Sequence, residues 1–190
     1  MRIGLISDTH IPESFPDLFP QIIDGFRNVD VILHAGDLHQ LDVVDQLNEL
    51  APIYVARGNG DEGSGGRIPV PEDDRIKEAW LLEWEGVTIG MTHYVPIPEA
   101  PPKLTISRWV ARFFPEKTPD VIIYGDPHVE SIVTVDNILC INPVSATFPH
   151  TLSAQLGTIG FLDIQDGQVD ASIWQLLEHG IEPFDWERWR

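Results

Sequence analysis

Cysteine is almost missing from the sequence: Cys140 is the only one in 190 residues. It sits in the apolar run Ile138-Leu139-Cys140-Ile141, where it reads as a small buried hydrophobe. One thiol makes neither a disulfide framework nor a thiolate zinc site. Positive charge is scarce too, with 12 Lys and Arg against 30 Asp and Glu, a formal net charge of −18. A field of that sign repels polyphosphate backbones and anionic lipid, so nucleic acid and membrane surfaces are disfavoured as partners. Any anionic substrate needs a local positive centre. No apolar run approaches the roughly 18 residues of a membrane span. Met1-Arg2 leads directly into a strand-like segment without a signal-peptide core, and a cytoplasmic location is expected. What remains is 43% hydrophobic with 15 Gly and 16 Pro, the balance of a globular chain, and one domain over 1–190 is expected.

Residues 2–6, 29–34 and 52–56 are short β-prone runs, each followed by turn residues. Between them Leu18, Ile22, Ile23 and Phe26, then Leu41, Val44 and Leu47, recur at helical spacing. The first third therefore reads β-α-β-α-β, which implies parallel strands with helices packed on the sheet. Gly60–Gly66 reads as a flexible loop. Alternation over 80–84 and 87–91 around Glu85-Gly86 predicts a hairpin. A Pro-rich stretch precedes a helix carrying Ile106, Trp109, Val110 and Phe113 on one face, and 121–124 is a buried-type strand. Paired strands follow at 129–135 and 138–142, then at 158–164 and 169–174; the tail from Phe184 to Arg190 reads as a packed closing segment. Two facing sheets with helices outside would bury all of this.

Polar residues able to bind a metal collect just beyond the carboxyl ends of successive strands: Asp8 and His10, Asp37, Asn59, His93, then Asp126 and His128. Ligands of α/β sheets bind outside that edge. Each residue has an ordinary alternative. Asp37 could cap the following helix, and Asn59 between two glycines could take a left-handed turn. Five such accidents at one edge, mixing carboxylate, imidazole and amide, are harder to accept. Imidazole with hard oxygen suits Mn, Fe, Zn or Ni, and seven donors exceed the needs of one ion. Two divalent ions sharing a carboxylate fit the set and would clamp both oxygens of a phosphoryl displacement.

In order and spacing these residues resemble the calcineurin-like metallophosphoesterases, particularly their small bacterial and archaeal phosphodiesterase branch. The shared signature reads Asp8-Thr9-His10, Gly36-Asp37, Gly58-Asn59-Gly60-Asp61, Thr92-His93 and Gly125-Asp126-Pro127-His128. The resemblance implies an α/β fold, a four-layer α-β-β-α sandwich of two facing mixed sheets flanked by helices. It also implies that Asp8, His10, Asp37 and His128 hold one metal, and Asp37, Asn59, His93 and Asp126 a second. Asp37 would be the bridge, and Asn59 would also contact a phosphate oxygen. The implied activity is hydrolysis of a small phosphate ester, most simply a phosphodiester, by a hydroxide bridging two divalent ions. Mn is the first choice, with Fe, Ni, Zn or Mg behind it. A non-catalytic interaction scaffold of the same fold and a metal-dependent nuclease are the alternatives, and a homo-oligomer stays open.

Three residues depart from the family pattern. Asp126 replaces the first His of the Gly-His-x-His motif, and Pro127 is expected to hold it extended, so that Asp126 and His128 face the same way. Gly60 stands where the family carries a His or Cys, which removes the usual leaving-group acid and disfavours ordinary monoesters. Val144 replaces a glycine in Asn142-Pro143-Val144-Ser145, which argues against a positive φ there. Elsewhere Arg67 could reach a phosphate or simply lie in solvent, and the segment from Tyr94 could wall a pocket or form an inert loop. His39 follows Asp37 closely enough to serve as a supporting donor, while His34, His150 and His179 are given no role. Ser7 and Thr9 are expected to orient their loop.

Overall fold

The structure, a computed structural model, describes residues 1–93, 105–149 and 156–187. One sheet holds seven strands and runs β12-β11-β10-β1-β2-β3-β4, comprising β1 (Arg2–Ile6), β2 (Val31–His34), β3 (Ile53–Ala56), β4 (Ile76–Lys77), β10 (Thr158–Gln165), β11 (Gln168–Leu177) and β12 (Gly180–Pro183). Strands β1 to β4 are mutually parallel, and β10 joins β1 antiparallel. The second sheet runs β5-β6-β7-β9-β8, comprising β5 (Ala79–Trp84), β6 (Val87–Thr92), β7 (Val121–Ile123), β8 (Ser131–Val135) and β9 (Ile138–Asn142). Its β6, β7 and β9 are parallel, with an antiparallel partner at each edge. Both sheets are mixed.

Alternation along each strand builds the layers. On β1, Ile3 and Leu5 face the other sheet, where they pack with Val31, Leu33, Ile89, Met91, Val121 and Ile141. Ile6 faces outward onto α1 (Pro20–Phe26) and α2 (Asp42–Asn48), whose Ile22, Phe26, Val44 and Leu47 form a second core. Gly4 points the same way and must be glycine, because a Cβ would come within 2.9 Å of the Phe26 ring. On the far side α3 (Ile106–Phe113) lays Ile106, Trp109 and Val110 against Ile122, Tyr124 and Cys140. These three apolar layers separate the four layers of an α-β-β-α sandwich, as the sequence implies. Helix starts are locally encoded: Pro20 opens α1 with its φ preset, and Asp42 and Asp45 lie in the first turn of α2, where the dipole favours them.

The paired strands and three helices match the sequence reading. Short β4 and β12 go beyond the sequence reading: Ile76–Lys77 is two residues long, and Gly180–Pro183 opens on glycine and closes on proline, which mark turns or edges more than strands. The glycine-rich segment forms two 3₁₀ turns, 60–62 and 64–66, rather than an open loop. In the closing segment Phe184 is buried and stacks edge-on with Trp186 at 5.0 Å, while Trp189 lies outside the described residues. No helix among the described residues is long and apolar enough to cross a membrane.

Phe26 is fully buried and meets Phe161 edge-on at 5.9 Å. Phe26→Ala is expected to cost about 3–5 kcal/mol in urea unfolding. A loss below about 1 kcal/mol would contradict the helix-on-sheet packing.

Candidate metal centre

Strands β1, β2 and β3 of one sheet and β6 and β7 of the other end at a common edge. Loops stitch that edge together: Ser7 and Ser145 form an isolated parallel bridge between the sheets. Ser145 Oγ donates to the Asp8 carbonyl at 2.5 Å, and Asn142 Nδ2 to that of Gly125 at 3.2 Å. Ser7 Oγ donates to Asp8 Oδ2 at 2.5 Å and Thr9 Oγ1 meets His34 Nε2 at 3.2 Å, so both residues orient the loop, as expected.

The backbone here is unusual. Asp8 (φ 49°), His10 (46°), Asp37 (56°), His39 (75°), Asp126 (63°) and His128 (49°) are all left-handed. Non-glycine residues take that conformation at a cost, so the surroundings must impose it. Asp8 N donates to Gly36 O at 2.9 Å and His10 N to Asp37 O at 3.0 Å. The buried Asp61 carboxylate accepts from the amides of Asp37 (3.0 Å), Leu38 (2.8 Å), His39 (2.9 Å) and Gly58 (2.8 Å). Several sequence expectations change accordingly. Asp126 is left-handed rather than extended. Asn59 is helical at φ −67° rather than left-handed. Asp37 does not cap α2, whose N-cap is Leu41; its Oδ1 accepts from Gly60 N at 2.7 Å. Val144 has φ 66° despite its branched side chain, held by its amide donating to Asn142 Oδ1 at 2.8 Å.

Carboxylates and imidazoles converge inside this frame. Asp8 Oδ1 lies 3.3 Å from His128 Nε2 and 3.6 Å from His10 Nε2. Asp37 spans the cluster, with Oδ2 3.8 Å from His10 Nε2 and Oδ1 3.5 Å from His93 Nε2. Asp126 Oδ1 is 3.8 Å from His93 Nε2, and its side chain is 46% exposed. Asn59 is exposed and shares a cavity of about 260 Å³ with His93, Arg57, Trp109, Arg112 and Phe113. Of the seven predicted residues, six therefore meet through their charged or imidazole groups and Asn59 borders them.

His93 Nδ1 lies 2.7 Å from Ala35 O and His128 Nδ1 lies 2.9 Å from Phe148 O. A carbonyl only accepts, so each Nδ1 carries a proton and, in the neutral ring, each Nε2 lone pair faces the cluster. Asp8 Oδ1 and His10 Nε2 are buried with no hydrogen-bond partner among the described residues. Such atoms are costly unless a cation satisfies them. The sets Asp8, His10, His128 and Asp8, Asp37, His93 each bring their ligand atoms within 4.8 Å of one another. The donor set thus fits divalent metal ions.

Burial raises the Asp8 carboxyl, but the His10 and His128 imidazoles beside it and the field of His93 outweigh it and hold Asp8 well below the usual range. Burial also opposes charge on His93 and His128, yet nearby carboxylates, Asp8 above all, raise both. Asp126 is raised by burial and by the charges of Asp8 and Asp37. His34 is different: burial pushes it down to about 3, and it serves the fold by accepting from Gly36 N at 3.1 Å. Arg67 neither reaches the centre nor lies loose; it pairs with Glu13 at 3.1 Å and donates to Ser64 O at 2.9 Å. His179 is exposed beside Glu178, and the segment 94–104 and His150 lie outside the described residues. His39 brings a ligand atom within 4.8 Å of those of His10 and Asp37, and its signal in the sequence is a third Asp-x-His spacing at 37–39.

The calcineurin-like phosphoesterase superfamily domain matches residues 1–167. A probable metallophosphoesterase of Methanothermobacter thermautotrophicus is 32% identical over 173 residues, 91% of each chain. A phosphodiesterase of Methanocaldococcus jannaschii is 26% identical, over 87% of this chain and 94% of its own. Among solved structures, zinc-complexed Vps29 of Entamoeba histolytica superposes with a TM-score of 0.71 over 97% of each chain at 18% identity, a likeness of fold.

The raised His93 and His128 set a pH dependence. A raised imidazole contributes stability that is full below its ordinary value of about 6.5 and is lost as pH rises through the raised one. A cation must displace those protons, so its binding strengthens as pH rises and releases protons. The increase in melting temperature on adding Mn to EDTA-treated protein should be larger at pH 8 than at pH 6. An equal increase at both would contradict imidazole ligation.

Proposed function

Because the protein belongs to the calcineurin-like phosphoesterase superfamily, we propose that it is a metal-dependent phosphodiesterase working with two divalent cations at the strand-end cluster. Asp37 is the observation that carries this reading, since its two oxygens turn to opposite halves, one toward His10 and the other toward His93. Asp8, His10, Asp37 and His128 would hold one cation, and Asp37, Asn59, His93 and Asp126 the other. Bound there, the ions supply Lewis acidity that activates water and neutralises charge developing on the phosphoryl oxygens. The half with Asn59 and Asp126 is rich in oxygen and suits Mn first, or Mg; the half with His10 and His128 accommodates Fe, Zn or Ni. A carboxylate at 126 also lowers the positive charge of the set relative to imidazole, which weakens its pull on substrate oxygens.

The chain's own residues complete the site. Asn59 carries an amide at the cavity beside His93, suited to donate to a phosphoryl oxygen. Trp109 and Phe113 offer apolar faces in that cavity, with the Arg112 guanidinium 4.8 Å from the Phe113 ring centre. Such walls favour an ester whose organic group is flat and aromatic. Gly60 has no side chain and gives no proton to an alkoxide leaving group. A non-catalytic scaffold would have no use for the buried, unsatisfied Asp8 Oδ1, and the −18 charge counts against a nuclease.

With Mn present, an aryl phosphodiester should turn over far faster than an alkyl monoester, because general-acid help is typically worth about 10² to 10⁴ in rate and aryl leaving groups need little of it. Asp37→Asn should abolish the diesterase activity while the protein still folds. Efficient turnover of simple alkyl monoesters, or full diesterase activity in D37N, would overturn the reading.

A further inference from the structure

Asp37-Leu38-His39 repeats the spacing of Asp8-Thr9-His10 and Asp126-Pro127-His128, and both of its ends are left-handed like theirs. The His39 side chain is 1% exposed, with Nδ1 2.7 Å from Glu13 Oε2. An ionised carboxylate only accepts, so Nδ1 donates and Nε2 presents its lone pair. That Nε2 is buried and has no hydrogen-bond partner among the described residues, the condition already met at Asp8 Oδ1 and His10 Nε2. The ligand atoms of His10, Asp37 and His39 lie within 4.8 Å of one another, and the His10 and His39 rings meet edge-on at 4.5 Å.

Gly60 explains how the ring fits. A Cβ at that position would collide with His39 Nε2 and come within 3.0 Å of Asp37 Oδ1. The imidazole therefore fills the space that a side chain at 60 would claim. Because Nε2 is closed to solvent, an ion smaller than water suits it better than a phosphate oxygen.

We propose that His39 is a further metal ligand, its Nε2 joining His10 and Asp37 at the imidazole-rich half of the centre. The inference rests on the two-cation reading above and deepens it. Glu13 then acts as the outer partner that fixes the His39 tautomer and increases its basicity, and Arg67, 3.1 Å from Glu13 Oε1, holds that carboxylate in place. With His10, His39 and His128 available, this half selects nitrogen-preferring ions such as Zn, Fe or Ni over Mn or Mg.

Cobalt(II) loading of the whole protein provides a test that does not depend on turnover. Imidazole N–H protons of metal-bound histidines give exchangeable, strongly shifted proton resonances. The wild type should show one that is absent in His39→Asn, while those of the other ligands persist. Glu13→Gln, at a half-exposed residue, should keep the fold and make the same resonance exchange faster with water. In competition for metal, H39N should lose at least about 10-fold of the preference for Zn over Mn, since even disturbing the surroundings of a ligand costs about 10- to 100-fold in affinity. An unchanged set of resonances and an unchanged preference in H39N would overturn the assignment of His39 and leave the centre standing. Failure of the wild type to bind cobalt at all would overturn both.

Discussion

Asp8 is completely buried, and no hydrogen bond reaches one of its carboxylate oxygens among the described residues. A fold keeps such a group only where positive charge answers it. Here His10, His128 and His93 surround it, and where the tautomer is determined, at His93 and His128, the neutral ring turns its Nε2 lone pair toward the cluster, so that a cation held between imidazole and carboxylate would supply the charge. The rest of the edge follows from this constraint. Left-handed turns carry Asp8, His10, Asp37, Asp126 and His128, the Asp61 carboxylate ties down the amides of one of those turns, and Ser145 ties the second sheet to the Asp8 backbone. The sandwich brings two sets of parallel strand ends to one line, and the chemistry stands on that line.

Much of this was legible in the sequence. The short β-prone runs of β1 and β2, the alternation over 80–84 and 87–91, the wholly apolar run of β7 and the helical spacing of Leu18, Ile22 and Phe26 mark the layers, because burial leaves a trace in apolar spacing. The donors at the strand ends were legible because they interrupt that pattern with polar residues that a turn alone does not need. Backbone conformation was not. Asp126 before a proline argues for an extended residue, and a branched Val144 argues against positive φ, yet both are left-handed. Local preference is worth only about 1–3 kcal/mol at such positions, and contacts from distant segments exceed it: Asp8 Oδ2 accepts from Asp126 N at 3.2 Å, and Thr158 Oγ1 donates to Pro143 O at 2.6 Å beside Val144. The surroundings of His39 were not legible for a related reason. Its pairing with Glu13 spans 26 positions, and its fit against Gly60 depends on a turn that spacing alone does not describe.

Gly60 and His39 also connect the fold to specificity. In the sequence Gly60 reads as a loss, the disappearance of a proton donor. In the structure it is the residue that admits the His39 ring beside Asp37. If cations occupy the cluster as proposed, the centre exchanges a side chain facing the leaving group for an imidazole facing those cations. That exchange is consistent with esters whose leaving groups depart unaided, and with a cavity walled by Trp109 and Phe113.

The central claim is that two cations share Asp37, and anomalous diffraction from crystals grown with Mn tests it most directly. The account predicts two peaks about 3.5 to 4 Å apart, with the Asp37 carboxylate between them, His10 and His128 at one, and His93 at the other. A single peak, or two peaks with Asp37 bound to neither, would contradict it.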